Sequence, residues 1–346
     1  LYRIYKDING CKIGVFSKLK MLNAPDFVSM RRIFQVKLEY LFVVPAYTFD
    51  NVKGKFPIGF QLYDSSKKVV FSSIIADVYD EYRNLIGTKK FSTYDNSVFL
   101  NIWLASYKDK TNPIGKLIFN SNDFQHQNRI RITNFETIVL GGDGKFPITK
   151  SNLFVSCIYL SVRKVIEATW LNDRDQFLHP NNQWELDTEF QTDCLAYTLF
   201  NNAIQSKFGI NHWIPFTESE VNAKEKFESN FMTDFIQGKL RIENTGNLFG
   251  NETMSNKPLE FSVEAASVFD AGRKLWKYYH SQNGINVNAS LYDIREHFQG
   301  RNEAGKMNNK STDETYMNLI GDLREKLKQL ADKIVPKVYE YEFLKQ

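Results

Sequence analysis

Over the first 65 residues, apolar positions come in short runs broken by polar or proline-bearing stretches; over the last hundred they recur at three- and four-residue intervals. Residues 1 to 8 read as the end of a helix. Cys11 to Leu22, with Ile13, Val15 and Leu19 apolar, predicts a strand, and Phe27 to Lys37 predicts a helix whose first turn suits Pro25 and Asp26. Leu41 to Pro45 is a second strand. Strand, helix and strand in that order form the unit of an open α/β sheet with a crossover helix. The run Phe56 to Asp64 follows too closely for another crossover, so it is expected to pair antiparallel and give the sheet a reversed edge.

From Val69 to Phe146 the pattern is mixed. Lys116 to Phe119 and Thr137 to Leu140 look like short strands, Gly141 to Gly144 like a turn, and the whole like an insertion on the sheet. Helical periodicity returns in Asn152 to Trp170 and Glu185 to Ser206. Thr217 to Glu220 reads as an N-cap with an acidic first turn leading into a helix from Val221 to Gln237. Asn244 to Lys257 reads as a linker, followed by helices at Val263 to His280, Leu291 to Phe298 and Ser311 to Val335. In the last of these, Tyr316, Leu319, Ile320, Leu323, Leu327, Leu330 and Ile334 make one stripe. The expected organisation is an α/β portion over 1–150, a helical or mixed region over 151–245, and a linker with a C-terminal helical region over 246–346.

Charge sharpens this division. Residues 1–70 hold twelve Lys and Arg against five Asp and Glu, an excess of +7; the rest, with 32 basic against 35 acidic, sums to −3. A basic excess confined to one fifth of a chain suits a surface that meets phosphates. Aromatic residues make up 14% of the chain, a supply for cores first and for base stacking second. Cys11, Cys157 and Cys194 are odd in number and far apart, which fits a reducing compartment and no disulfide framework. With neither a signal peptide nor an apolar run of about 20 residues, the expectation is a cytoplasmic protein with no membrane partner. The opening Leu1-Tyr2-Arg3-Ile4, already in helical rhythm, suggests a piece of something larger.

Several chemistries are missing from the sequence. It has no Gly-x-Ser-x-Gly elbow, no phosphate-binding Gly-x-x-x-x-Gly-Lys-Ser/Thr loop and no His-Glu-x-x-His helix, and its five histidines never pair at metal-ligand spacing. What stands out is Phe49 to Phe60: an aromatic residue, a basic turn of Lys53, Gly54 and Lys55, then a strand. On the residues alone, an ordinary hairpin and a base-binding loop are both open.

Taken together, Lys12 to Lys20, Asn23 to Phe27, Phe49 to Phe60, Asn211 to Phe216 and Leu291 to Arg301 resemble the C-terminal part of an N6-adenine DNA methyltransferase of bacterial restriction-modification systems. The resemblance implies a methyltransferase-type sheet with an antiparallel last strand, followed by a mainly helical target-recognition region. It implies double-stranded DNA as partner, with the target adenine turned out of the duplex. Phe49 matches the position whose ring stacks on that base; Lys53, Gly54 and Lys55 would meet the DNA backbone, and Lys18, Lys20, Arg31 and Arg32 would extend the phosphate-contacting surface. The family's Gly-rich loop for S-adenosylmethionine and its Asn-Pro-Pro-Tyr motif are both absent, as is any Pro-Pro pair. The chain is therefore expected to contain no catalytic, cofactor-binding or metal-binding residue of its own. Its other partners would be the enzyme's missing N-terminal half and specificity or nuclease components. The rival expectation is a non-catalytic DNA-binding specificity module.

Overall fold

The structure, a computed structural model, describes residues 1–8, 10–125, 127–136, 143–240 and 257–345. Helix α1 (Tyr2–Asp7) precedes strand β1 (Lys12–Lys18), the short helices α2 (Lys20–Asn23) and α3 (Val28–Ile33), and strands β2 (Lys37–Pro45) and β3 (Pro57–Asp64). Leu19 therefore leaves the strand expected up to Leu22, and its side chain turns back onto the sheet beside Leu22, Leu41 and Val43. A 3-10 turn at Pro25–Phe27 leads into α3, as Pro25 in a first turn requires.

β3 is reversed, as its short connection to β2 demands, but it does not lie at an edge. It pairs antiparallel with β1 on one side and β2 on the other, so β1 and β2 run parallel with β3 between them. The β2–β3 loop is too short for a crossover but long enough for a hairpin, and the hairpin folds into the space left between β1 and β2. Strands β4 (Ser73–Tyr79) and β5 (Leu85–Ser92) continue the sheet on the far side of β2, giving the order β1-β3-β2-β4-β5, with β4 parallel to β2.

Only this first hairpin of the expected insertion joins that sheet. After α4 (Leu100–Ser106), strands β6 (Gly115–Phe119), β7 (Arg131–Thr133) and β8 (Gly144–Ile148) form a second sheet, completed by β9 (Ile204–Gln205) in the order β8-β6-β7-β9. The strand expected at Thr137 to Leu140, the first part of the turn after it and most of the Asn244 to Lys257 linker lie outside the described residues. Residues on both sides of position 150 share one hydrophobic core that runs from Leu100 to Leu344, whereas the first sheet has separate clusters of its own.

That large core is built around helices α5 (Leu153–Lys164) and α6 (Thr188–Phe200), which are buried on nearly every side. Thr217 forms a capping box with Glu220 at the start of α7 (Glu218–Val221), but left-handed Asn222, at φ 56°, ends that helix after one turn. The helix expected over Val221 to Gln237 is accordingly two short ones, α7 and α8 (Phe231–Ile236). Helices α9 (Val263–His280), α10 (Leu291–Gln299) and α11 (Glu314–Glu340) close the body, and α11 buries Tyr316, Ile320, Leu323, Leu330 and Ile334 of the predicted stripe. Among the described residues no helix is long and apolar enough to cross a membrane.

His280, at the end of α9, is buried between the rings of Phe227 and Tyr279, with no partner for Nδ1 among the described residues. Burial pushes its pKa down to about 4, so the folded protein keeps it neutral where the unfolded chain would take up a proton. Its contribution to stability is therefore complete above the ordinary histidine range and falls as the pH drops towards 4. Between pH 7 and pH 5 the loss is expected to be about 2 kcal/mol. Urea melts at the two pH values check this; His280→Phe should flatten the difference, and an unchanged pH dependence would remove His280 as its source.

Candidate nucleic-acid interface

The carboxyl ends of the parallel strands β1 and β2 point to the same edge of the first sheet, where crevices in open α/β sheets take ligands. The segment from Ala46 to Phe56 covers that edge. Its base is closed by the Ala46 N–H donating to the Phe56 carbonyl at 2.9 Å, and its first half is a 3-10 turn over Ala46–Thr48 followed by Phe49 N–H to Ala46 O at 3.1 Å. Asn51 sits in the left-handed region at φ 64°, which an Asn tolerates in a tight bend.

Gly54 is required by packing. A Cβ there would lie 2.1 Å from the Phe56 ring, so only glycine lets Phe56 fold back over the loop. With Phe56 in that position, the Lys18 ammonium sits 4.3 Å above its ring, a cation–π contact that fixes the end of β1 to the loop. Phe49 lies at the rim, 36% exposed, and meets Phe16 in a T-shaped contact with ring centroids 5.9 Å apart. Phe49 is thus braced against the sheet while about a third of its surface stays open to a stacking partner. Lys53 and Lys55 are exposed on the same loop, and Lys20 is exposed at the start of α2.

The second body completes the edge. Lys18, Lys20, Phe56 and Pro57 face Gln125, Asp173 and Arg174 across a cleft of about 130 Å³. Gln125 donates from Nε2 to Asp173 at 3.1 Å, and Arg174 pairs with Asp123 at 3.1 Å and with Asp173 at 3.3 Å. Burial holds the Asp173 carboxyl above its ordinary pKa, with Arg174 opposing the shift. Lys89 of β5, donating to Asp175 and to the Leu171 carbonyl, clamps this segment against the sheet.

Phe49, Lys53, Gly54, Lys55 and Lys18 therefore gather on one loop and strand end, with Lys20 beside them. Arg32 is exposed on α3. Arg31 is placed otherwise: only 6% exposed, it donates from Nε to Asp95 at 2.9 Å, from Nη1 to Met21 O and from Nη2 to Ala24 O, both at 2.9 Å. Its charge is spent inside the protein, tying α2 and α3 to residue 95, so it is not available to a phosphate. The structure adds Phe16, Phe56, Gln125, Asp173 and Arg174 to the edge. Phe56 was readable as the second aromatic of the loop, but nothing local in the sequence connects Gln125 or Asp173 to the loop and strand end that precede them by dozens of positions.

Asn211 to Phe216, which also carried the family likeness, serves the core. Trp213, Ile214 and Phe216 are buried, and Asn211 braces them by donating to the Asn288 carbonyl. Among the described residues, no group of three or more His, Cys, Asp or Glu is arranged to hold a metal ion. Comparison with family models, with curated proteins and with solved structures returns no match to this chain.

Proposed function

We propose that this chain is the base-holding and DNA-recognising part of a DNA adenine-N6 methyltransferase, with double-stranded DNA bound across the loop Ala46 to Phe56. The observation that carries the reading is Phe49: a half-open ring, braced by Phe16, on a basic loop at the carboxyl ends of two parallel strands. A base that leaves its duplex loses stacking, and an aromatic face at the rim of a positively charged edge restores it.

S-adenosylmethionine does not fit the residues at this edge. The cleft beside Phe56 encloses about 130 Å³, whereas pockets for small ligands begin at roughly 300 Å³. No Gly-rich turn borders it, and the chain contributes no Asn-Pro-Pro-Tyr oxygen to prepare an adenine nitrogen. No step of methyl transfer is assigned to these residues; their part is to hold the base and the backbone around it.

Titration of a DNA duplex with this chain at several salt concentrations tests the interface. Replacing Lys53 and Lys55 together by Ala should lower the slope of log affinity against log salt by about two phosphate contacts, roughly 1.8 in the slope. A slope that does not change would take these lysines, and with them the loop, out of the DNA interface.

A further inference from the structure

Between the segment that follows α7 and the turn that joins α9 to α10 lies a cavity of about 300 Å³, the size at which pockets for small molecules begin. Its walls are held from behind. Tyr279 Oη accepts from the Asn286 N–H at 2.9 Å and donates to the Asn286 carbonyl at 3.0 Å. The Glu228 N–H donates to Asn288 Oδ1 at 2.8 Å, which ties the turn to the segment opposite.

His280 lines this cavity although it is only 3% exposed. The rings of Phe227 and Tyr279 fix its orientation, and its Nδ1 has no partner among the described residues. An unpaired buried nitrogen costs free energy that a bonded ligand returns. Burial keeps the imidazole neutral, so it offers one donor and one acceptor.

The other polar groups of the wall are carboxamides, each with one end committed. Gln282 donates from Nε2 to the Tyr278 carbonyl at 3.0 Å, and Asn286 Oδ1 accepts from the Asn288 N–H at 3.0 Å, as Asn288 Oδ1 does from Glu228. Their opposite ends are an acceptor on Gln282 and a donor on each asparagine. Half-buried Ile285 and Val287 supply aliphatic surface, and exposed Lys224 and Glu225 carry charges of opposite sign. A wall with balanced charge and a single carboxylate is built for neither a polyanion nor a metal ion. It matches a neutral molecule with flat apolar faces and an edge of mixed donors and acceptors, which is the description of a nucleobase.

Asn286 and Asn288 also line a wider groove of about 680 Å³, together with Glu136, Glu228 and Lys207. Whatever extends from the cavity across the two asparagines enters this groove. Its two carboxylates accept from hydroxyl groups and repel phosphate, and its one ammonium lies 5.9 Å over the Phe208 ring.

We infer that the cavity binds a neutral nucleoside, its base against His280, Gln282 and the two asparagines and its ribose in the adjoining groove. Neither the cavity nor the groove includes a residue of the candidate DNA edge, so the site stands whether or not the chain acts on DNA.

NMR of the imidazole nitrogens in the full chain, isotope-labelled at its five histidines, tests this with adenosine, cytidine, guanosine and uridine as probes. The His280 signals are identified by their loss in His280→Phe, which keeps a ring at that position. At least one nucleoside should shift them more than those of any other histidine and saturate with a Kd below about 1 mM. By calorimetry, His280→Phe should weaken that nucleoside at least tenfold. Asn286→Asp, at an exposed residue, keeps the oxygen that accepts from Asn288 and removes the donor, and should weaken it comparably. A phosphate on the ribose should cost at least another tenfold. The inference is overturned if no nucleoside moves the His280 signals at that concentration, if both variants bind as the unsubstituted chain does, or if the phosphorylated form binds as tightly.

Discussion

Asp95→Ala is expected to destabilise the protein by roughly 3 kcal/mol, more than Arg31→Met at the other end of the same ion pair. The guanidinium of Arg31 is almost wholly out of water, its side chain 5% exposed, whereas the Asp95 side chain is 20% exposed. Removing Asp95 leaves a buried cation with two backbone carbonyls, Met21 O and Ala24 O, as its remaining partners. Removing Arg31 leaves a carboxylate that water can reach, and methionine refills most of the volume. The value is placed at the lower end of the range for broken buried pairs because one partner is partly hydrated. The Arg31 hydrogen bonds hold the Asp95 carboxyl below its ordinary pKa, so the pair's contribution is complete above the usual carboxylate range and is lost as the pH falls through the folded value. Urea unfolding of both variants at neutral pH and in acid measures this; a cost for Asp95→Ala no greater than for Arg31→Met would show that the pair is not what anchors α2 and α3.

Arg31 also shows where a sequence stops being informative. Arg31 and Arg32 stand side by side on one helix in a basic stretch, and by charge alone they are equivalent. What separates them is the helix's rotation against the sheet and an aspartate 64 positions away, and neither leaves a local mark. The same holds for β3. Its antiparallel direction follows from the length of the loop before it, but its place between β1 and β2 depends on which strand edge is left unpaired, a non-local matter.

Elements whose limits are set by local chemistry were readable: Ser262 caps α9 from its side chain, Thr217 and Glu220 form a capping box, and the stripe on α11 is the face that is buried. Of the second sheet, β6 was readable in Lys116 to Phe119 but the rest was not, because β7 and β8 are three and five residues long and β9 only two. Strands that short carry too few positions for alternation to be distinguished from chance, and their pairing brings together residues 115 to 148 and 204 to 205 through the packing of a helical core. At the candidate interface, the loop was visible as a motif because its aromatic and basic residues are contiguous. Its opposite wall, Gln125, Asp173 and Arg174, comes from the other body and became visible only with the fold.

Phe49→Ala should lower the affinity of this chain for a duplex carrying an unpaired adenine by roughly 5- to 150-fold, the loss of one base–aromatic stack of about 1–3 kcal/mol. A fully paired duplex should be affected much less, because an adenine held in its helix does not reach the ring and the contacts of Lys53 and Lys55 with the backbone remain. The ring's position argues for a specific loss and against a general one: Phe49 is 36% exposed and makes a T-shaped contact with Phe16, while the loop is closed independently by the Ala46–Phe56 hydrogen bond and fixed by Lys18 on Phe56. Phe49→Tyr keeps the stacking face and should keep the affinity. With 2-aminopurine as the unpaired base, the same titration reports stacking directly: its fluorescence should be quenched alike by the unsubstituted chain and by the Phe49→Tyr variant, and stay bright with Phe49→Ala. Equal losses on paired and unpaired duplexes would mean that Phe49 shapes the loop and does not hold a base, and the base-holding role would then have to pass to another ring of the edge, Phe16 or Phe56.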